Sequence, residues 1–211
     1  MISGIIPWFF INEQIFIYVC CLKLRDDKKT QQIFDAALLL VKDKGLAGIT
    51  MCEIARQAGM ATGTLYIYFR NKEELINSLF AACRKASIDS YFAGYDPQLP
   101  FKKGFAIVWK NILQFRVHNF EDAVFMDQCY HSPFINECTS KLTREMIHPL
   151  IQLVEKGKEE GLFKDVDTFM LLSFMIGCIH EGVKKAHYAQ KPLNDTSIET
   201  LFRMCWDGMR R

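Results

Sequence analysis

Apolar positions recur at helical spacing along nearly all of the chain. Ile33, Ala36, Ala37, Leu40 and Val41 fall on one face of a helix expected over Asp26–Lys44, with Gly45 ending it in a left-handed C-cap. Leu75, Ile76, Leu79, Phe80 and Cys83 mark a long helix from Lys72 to about Phe92. The run Gly94-Tyr95-Asp96-Pro97-Gln98-Leu99-Pro100 breaks the pattern as a loop. Beyond it, Phe105, Val108, Trp109, Ile112 and Phe115 form one stripe, and Glu121–Cys129 is a shorter piece. Ser132-Pro133 reads as an N-cap with proline in the first turn, starting a helix that is kinked at Pro149 and closed by Gly161. Asp165–Tyr188 has an unusually apolar centre, and Thr196 with Glu199 offers a capping box for a last helix. The pattern predicts no strand and no internal repeat, so the expected fold is all-α.

Thr50–Glu74 has a different texture, with three helix-start signals close together. Thr50 with Glu53 fits a capping box, Thr62 is placed to cap a very short helix, and Asn71 with Glu74 caps the long helix that follows. Gly59 stands between the first two helices, where a sharp turn needs a residue that tolerates positive φ. Helices this short cannot hold alone and must pack on neighbours. The arrangement is a helix-turn-helix, which lays its second helix in the major groove of DNA. Leu65 and Phe69, four apart, form the inward face of that second helix. Thr62, Gly63, Thr64, Tyr66, Ile67 and Tyr68 remain outside. Hydroxyls there meet phosphates and base edges, aromatic edges meet thymine methyls, and glycine admits close backbone approach. Lys72, at the next helix start, is placed for a phosphate. The candidate DNA-binding set is Thr50, Thr62, Gly63, Thr64, Tyr66, Tyr68 and Lys72. The blander alternative makes Tyr66 and Tyr68 interfacial core aromatics, and Thr50 and Thr62 caps alone.

These residues carry a specific resemblance. Gly45, Ile49-Thr50, Ile54-Ala55, Ala58-Gly59, Gly63-Thr64-Leu65-Tyr66, Tyr68-Phe69 and Lys72-Glu73-Glu74-Leu75 stand in the order and spacing of the TetR family of bacterial transcriptional regulators. The chain resembles that family over roughly residues 28–80. Cys52 departs from the basic or polar residue many relatives carry near that position for a base contact. The resemblance implies an N-terminal three-helix DNA-binding domain, followed by a helical ligand-binding and dimerisation domain whose last two helices pair with those of a second subunit. It also implies a homodimer on a palindromic double-stranded DNA operator, released when a small-molecule effector shifts the DNA-binding heads. The expected divisions are residues 1–23 as an apolar extension, 24–75 as the DNA-binding domain and 76–211 as the regulatory domain.

Charge agrees with one DNA-facing end. Between Lys23 and Lys72 nine basic side chains face five acidic ones, an excess of +4 in a chain whose total is only +2. The remainder is therefore slightly acidic. The eight cysteines show no zinc-ribbon or CxxC spacing. They read as small buried residues of a cytoplasmic protein. Cys129-x-His131 and Cys178-x-His180 put their partners two apart, off a shared helix face, so no metal site is expected. Residues 1–22 are mostly apolar, but Asn12, Glu13 and Gln14 interrupt them, and neither half reaches the roughly 18 apolar residues of a membrane span. No basic start or cleavage motif marks a signal peptide, and the functional protein is expected to begin near Leu22–Leu24.

Outside the helix-turn-helix no phosphate loop, nucleophile elbow or zincin motif occurs, so no catalytic residue, enzyme activity or cofactor is expected. The candidate effector lining is Phe105, Trp109, Phe125, Tyr130, His131, Phe134 and Phe174. For any one of these aromatics, plain core packing is the simpler alternative. Two functions stay open: a ligand-responsive regulator, most simply a repressor, or a DNA-binding protein whose C-terminal domain recruits a protein partner.

Overall fold

The computed structural model describes residues 27–130 and 132–211. The apolar extension expected over 1–23 and the candidate effector residue His131 lie outside the described residues. Ten α-helices occur among the described residues, and no strand. The described residues form two compact units, one ending at Leu75 and the other running from Ile76 to Arg211.

In the first unit, α1 spans Asp27–Gly48, α2 Met51–Gln57 and α3 Thr62–Tyr68. Ile33, Ala36, Ala37 and Val41 are buried as the periodicity requires, joined by Phe34 and Leu38. Gly45 breaks α1 at φ 71°, but its ψ of 165° lies outside the left-handed helical well, so the chain kinks there and does not close a C-cap. Helix α1 packs on α2, and α2 on α3. The core between them is Ile49, Met51, Ile54, Ala55, Leu65 and Phe69, with the Phe69 ring 5.8 Å from that of Phe34.

Helix α4 (Lys72–Tyr91) starts in the first unit and continues unbroken into the second. Then follow α5 (Phe101–His118), α6 (Phe120–Cys129), α7 (Glu137–Met146), α8 (His148–Glu159), α9 (Thr168–Tyr188) and α10 (Asp195–Met209). Helix α9 is the hub of this unit and packs against α5, α8 and α10. An aromatic core of Phe101, Phe105, Trp109, Phe163, Phe202 and Trp206 fills the space between α5 and α10, with ring centroids 5.2–6.4 Å apart for Phe105 against Phe163, Phe202 and Trp206 and for Phe101 against Trp206. Beneath it, Gly157 of α8 lets the rings of Phe101 and Phe163 come close. An added Cβ would lie 2.6 and 2.5 Å from their ring atoms. Gly161 (φ 70°) then closes α8, with Gly161 N–H donating to the Lys158 carbonyl and Leu162 N–H to that of Gly157.

Several expected helix starts move. Ser132-Pro133 begins no helix; Ser132 Oγ accepts from Phe134 N–H within a turn. Asn136 is the N-cap of α7 instead, accepting from Thr139 N–H at 2.9 Å. The single kinked helix expected there is two helices meeting at Ile147, with Pro149 in the first turn of α8, where its missing N–H costs nothing. Helix α9 starts at Thr168, capped by Asp167, and α10 is capped by Asn194, two residues before Thr196. Asparagine and aspartate accept from the backbone at least as well as threonine, and each sits where the chain is still extended or turning. Among the described residues no helix is long and apolar enough to cross a membrane.

The tight site at Gly157 gives a direct check. Gly157→Ala should lower unfolding free energy by about 1–3 kcal/mol, because neither ring can retreat from a packed core. Denaturant unfolding should show a lower midpoint with an unchanged slope.

Candidate functional site

The turn between α2 and α3 is built from local rules. Gly59, at φ 68°, donates to the Arg56 carbonyl at 3.1 Å, and Met60 N–H donates to that of Ala55 at 3.0 Å, which is a Schellman closure of α2. The Ala61 backbone is extended, and its carbonyl accepts from Thr64 N–H and Leu65 N–H at 2.9 and 3.2 Å. Ala61 is therefore the N-cap of α3, with no side-chain bond, and Thr62 is the first helical residue. The expected Thr62 cap is replaced because the tight turn already places the preceding residue correctly.

Glu53 ties the start of α2. Its carboxylate accepts from Thr50 N–H at 3.0 Å and from the Thr50 hydroxyl at 2.8 Å, while Thr50 Oγ1 accepts from Glu53 N–H at 3.3 Å. Lys44 Nζ, on α1, reaches the same carboxylate at 2.6 Å. The hydrogen bonds from Lys44 and Thr50 hold the Glu53 carboxyl down at about 2. Lys72 Nζ donates to the Ala47 carbonyl at 3.2 Å, tying the start of α4 to the α1–α2 turn. Partial burial lowers its pKa, and the Glu53 charge opposes this. Asn71 Oδ1 accepts from Glu74 N–H at 2.8 Å, and Glu74 reaches back to Arg70 N–H at 2.7 Å, one residue earlier than a regular capping box.

On α3, Leu65 points into the core and the opposite face is open. Tyr66 is 50% exposed and Ile67 72%. Thr62, Thr64 and Tyr68 are half-buried at its edges, and Gly63 is exposed. A Cβ added at Gly63 would meet no atom of the chain within 4 Å, so packing within the protein does not demand glycine there. Thr50 is exposed, with its hydroxyl engaged in the cap. The structure thus brings Thr62, Gly63, Thr64, Tyr66 and Tyr68 together on one short helix. Thr50 and Lys72 lie at neighbouring helix starts. Ile67 is the one outward residue absent from the sequence-derived set, and a large apolar side chain left this exposed is suited to a thymine methyl.

The candidate effector residues do not gather. Phe105 and Trp109 are fully buried in the aromatic core, and Phe125 is fully buried on α6. Phe174 is exposed on α9 with its ring over Gly208 of α10. The Phe134 carbonyl accepts from Asn77 Nδ2 at 2.8 Å, and Asn77 Oδ1 accepts from Asn136 N–H at 3.1 Å, so a buried asparagine of α4 holds this loop. Tyr130 does line a cavity, of about 500 Å³, together with Arg84, Arg116, Asp127, Leu150, Phe169 and residues of α9 through His180. Tyr130, Ile147 and Phe169 also line an adjoining cavity of about 240 Å³. Arg116 pairs with Asp127 at 3.2 Å, and His180 Nδ1 lies 2.8 Å from Arg116 Nη1 and 2.9 Å from Asp127. Burial pushes the Asp127 carboxyl up, but the hydrogen bond from His180 and the charge of Arg116 outweigh it, and the net shift is downward. Arg84 and Arg116 were missed because an arginine inside a helical stripe reads as a solvated residue. The available signal was position: Arg84 follows Phe80 by four and precedes Tyr91 by seven, on the buried face.

Elsewhere the cysteines split. Cys83, Cys129 and Cys205 are buried, and burial pushes the Cys205 thiol up to about 12; Cys52 and Cys138 are exposed. Among the described residues no group of three His, Cys, Asp or Glu is arranged to hold a metal.

A capped, tightly turned pair of short helices with an open outer face defines a helix-turn-helix DNA-binding protein. Comparison with known proteins makes the class specific. The family model for bacterial regulatory proteins of the tetR family matches residues 33–79, and that for the tetracyclin repressor-like C-terminal domain matches residues 100–210. The chain belongs to the TetR family of transcriptional regulators, whose helix-turn-helix binds DNA. It is 46% identical over 158 residues to the fatty acid metabolism regulator protein of Bacillus subtilis, covering 74% of this chain and 81% of that one. It is 26% identical over 178 residues to the uncharacterized HTH-type transcriptional regulator YhgD of the same organism, covering 82% and 91%. A TetR family regulator from Marinobacter aquaeolei superposes with a TM-score of 0.81 at 26% identity, over 89% of this chain and 98% of that one.

Two glycines with equally open surroundings should behave oppositely. Gly59→Ala forces a side chain into positive φ and should cost about 1–2 kcal/mol of stability. Gly63→Ala sits inside a helix and should raise stability by up to about 1 kcal/mol, yet weaken DNA binding in an electrophoretic shift. Loss of stability in Gly63→Ala would remove the reason for assigning it to the interface. The Glu53 carboxyl gives a separate check. Its folded-state value lies below its ordinary 4.5, so its contribution is complete above that pH and is lost as the pH falls towards about 2. In a carboxyl NMR titration its midpoint should rise in Lys44→Met.

Proposed function

We propose that the protein is a ligand-responsive repressor, binding a palindromic operator as a homodimer and released by a small molecule with a largely apolar body. The observation that carries this reading is α4. It is one unbroken helix, capped beside the helix-turn-helix by Asn71 and lining the 500 Å³ cavity through Arg84. Arg84 is twelve residues beyond Lys72, about 18 Å along the axis. A ligand that displaces the Arg84 side chain therefore loads the same rigid rod that the DNA-binding helices abut in sequence. Coupling requires only that the ligand bind the two positions of that rod with different affinity.

Dimerisation is supported by apolar side chains that the chain leaves uncovered. Met170 on α9 and Met204 on α10 are each 63% exposed, and Phe169 and Phe174 are also exposed on α9. Gly177 has open space around it on the same helix, while Gly182 is already filled by Leu201 of α10. Uncovered apolar surface on two adjacent helices suits a two-fold contact, which would present two α3 helices to a two-fold DNA site. The relative named for fatty acid metabolism fits an effector with a long apolar body.

The test is an electrophoretic shift against the DNA flanking the protein's own gene, with sedimentation of the free protein. A salt-sensitive shift of a two-fold-symmetric fragment is expected. The doubly substituted Met170→Asp, Met204→Asp protein should keep its helical circular dichroism, sediment as a monomer and lose at least about tenfold in operator affinity. No shift of any fragment at low salt would overturn the operator reading.

A further inference from the structure

Resting on the reading of this cavity as the effector site, we propose that it takes an amphipathic ligand with an anionic head, and that Arg84 receives the head. The cavity wall holds two guanidinium groups, which stay charged at any physiological pH. Arg116 is only 3% exposed, but Asp127 neutralises it and His180 completes the cluster. Arg84 is 5% exposed and has no such partner. None of the ion pairs among the described residues includes it. Its side chain donates to the Tyr130 hydroxyl and lies 5.0 and 5.8 Å from the ring centroids of Tyr130 and Phe80. Its Nε, like that of Arg116, is buried without a hydrogen-bond partner.

A phenol and two ring faces do not cancel a full charge held out of water. One carboxylate serves two permanent cations, and the wall carries a net positive charge. A ligand anion would supply the missing counter-charge, and a flat guanidinium suits an oxyanion of two or more oxygens. Most of the rest of the wall is apolar, with Ile147, Leu150, Phe169, Leu172 and Ile176. About 500 Å³ is within the range of small-molecule sites. The cavity therefore selects an acid head on an apolar body, whether carboxylate or phosphate.

The test is calorimetric titration of the full-length protein with decanoate, decyl phosphate and decanol. At least one of the two anions should bind about tenfold or more tightly than decanol, and the preferred anion identifies the head. Arg84→Met should erase that preference while leaving decanol binding unchanged, and Arg84→Lys should keep part of it. The wild-type comparison stands even if Arg84→Met fails to fold. Equal binding of all three by the wild type, binding of none, or a preference that survives in Arg84→Met would overturn the proposal. Operator binding is read separately. An anion that binds with the expected preference but leaves the protein–DNA complex intact upholds the Arg84 assignment and overturns release by effector. Failure of all three ligands beside a normal DNA shift overturns the assignment alone.

Discussion

Helices α2 and α3 are seven residues each, and at that length their internal hydrogen bonds cannot hold them against the unfolded chain. Their geometry depends on how their ends are tied. Glu53 ties the first of them: one carboxylate accepts the backbone and hydroxyl of Thr50 and the ammonium of Lys44, so the start of α2 is fastened to itself and to α1. Lys72 adds a second fastening, from the start of α4 to the carbonyl of Ala47. Gly59 provides the turn that these knots would otherwise strain. With both ends fixed, Leu65 and Phe69 bury one side of α3 and the other side remains available to DNA.

The second unit solves a different problem. It hides large aromatic rings and leaves a cavity of about 500 Å³ elsewhere in the unit. The rings of α5 and α10 pack against one another and Phe163, and Gly157 beneath them lets α8 close on the cluster. That dense core accounts for Phe105 and Trp109, for which the sequence left both a cavity and a core open. The space left over lies along another stripe of α9, and its wall carries charge. Arg116, Asp127 and His180 pair with one another, whereas Arg84 has only neutral partners.

Much of this was legible from spacing alone. The capping box at Thr50 could be read because a cap is settled by residues three apart. The Asn71 cap and the positive φ of Gly59 follow from equally local rules. Starts elsewhere were misplaced for a physical reason: Thr62, Ser132 and Thr196 each had a neighbour better placed for the same task, respectively Ala61 in the tight turn, Asn136 in the following loop and Asn194 two residues upstream. Which of two adjacent candidates caps a helix depends on where the chain enters it, and entry angles are set by packing.

The sequence by itself determined the all-α class, the helix-turn-helix and its family, and the inward faces of α1, α4 and α5. These rest on short-range periodicity and on a dense local motif, where each residue's task depends on neighbours within one or two turns. The tertiary structure decided which apolar stripe faces which other helix. It therefore decided that Phe105 and Trp109 belong to the core and that Arg84 and Arg116 share a cavity. Those facts join residues far apart in the chain, and nothing in local spacing encodes what a buried face is buried against.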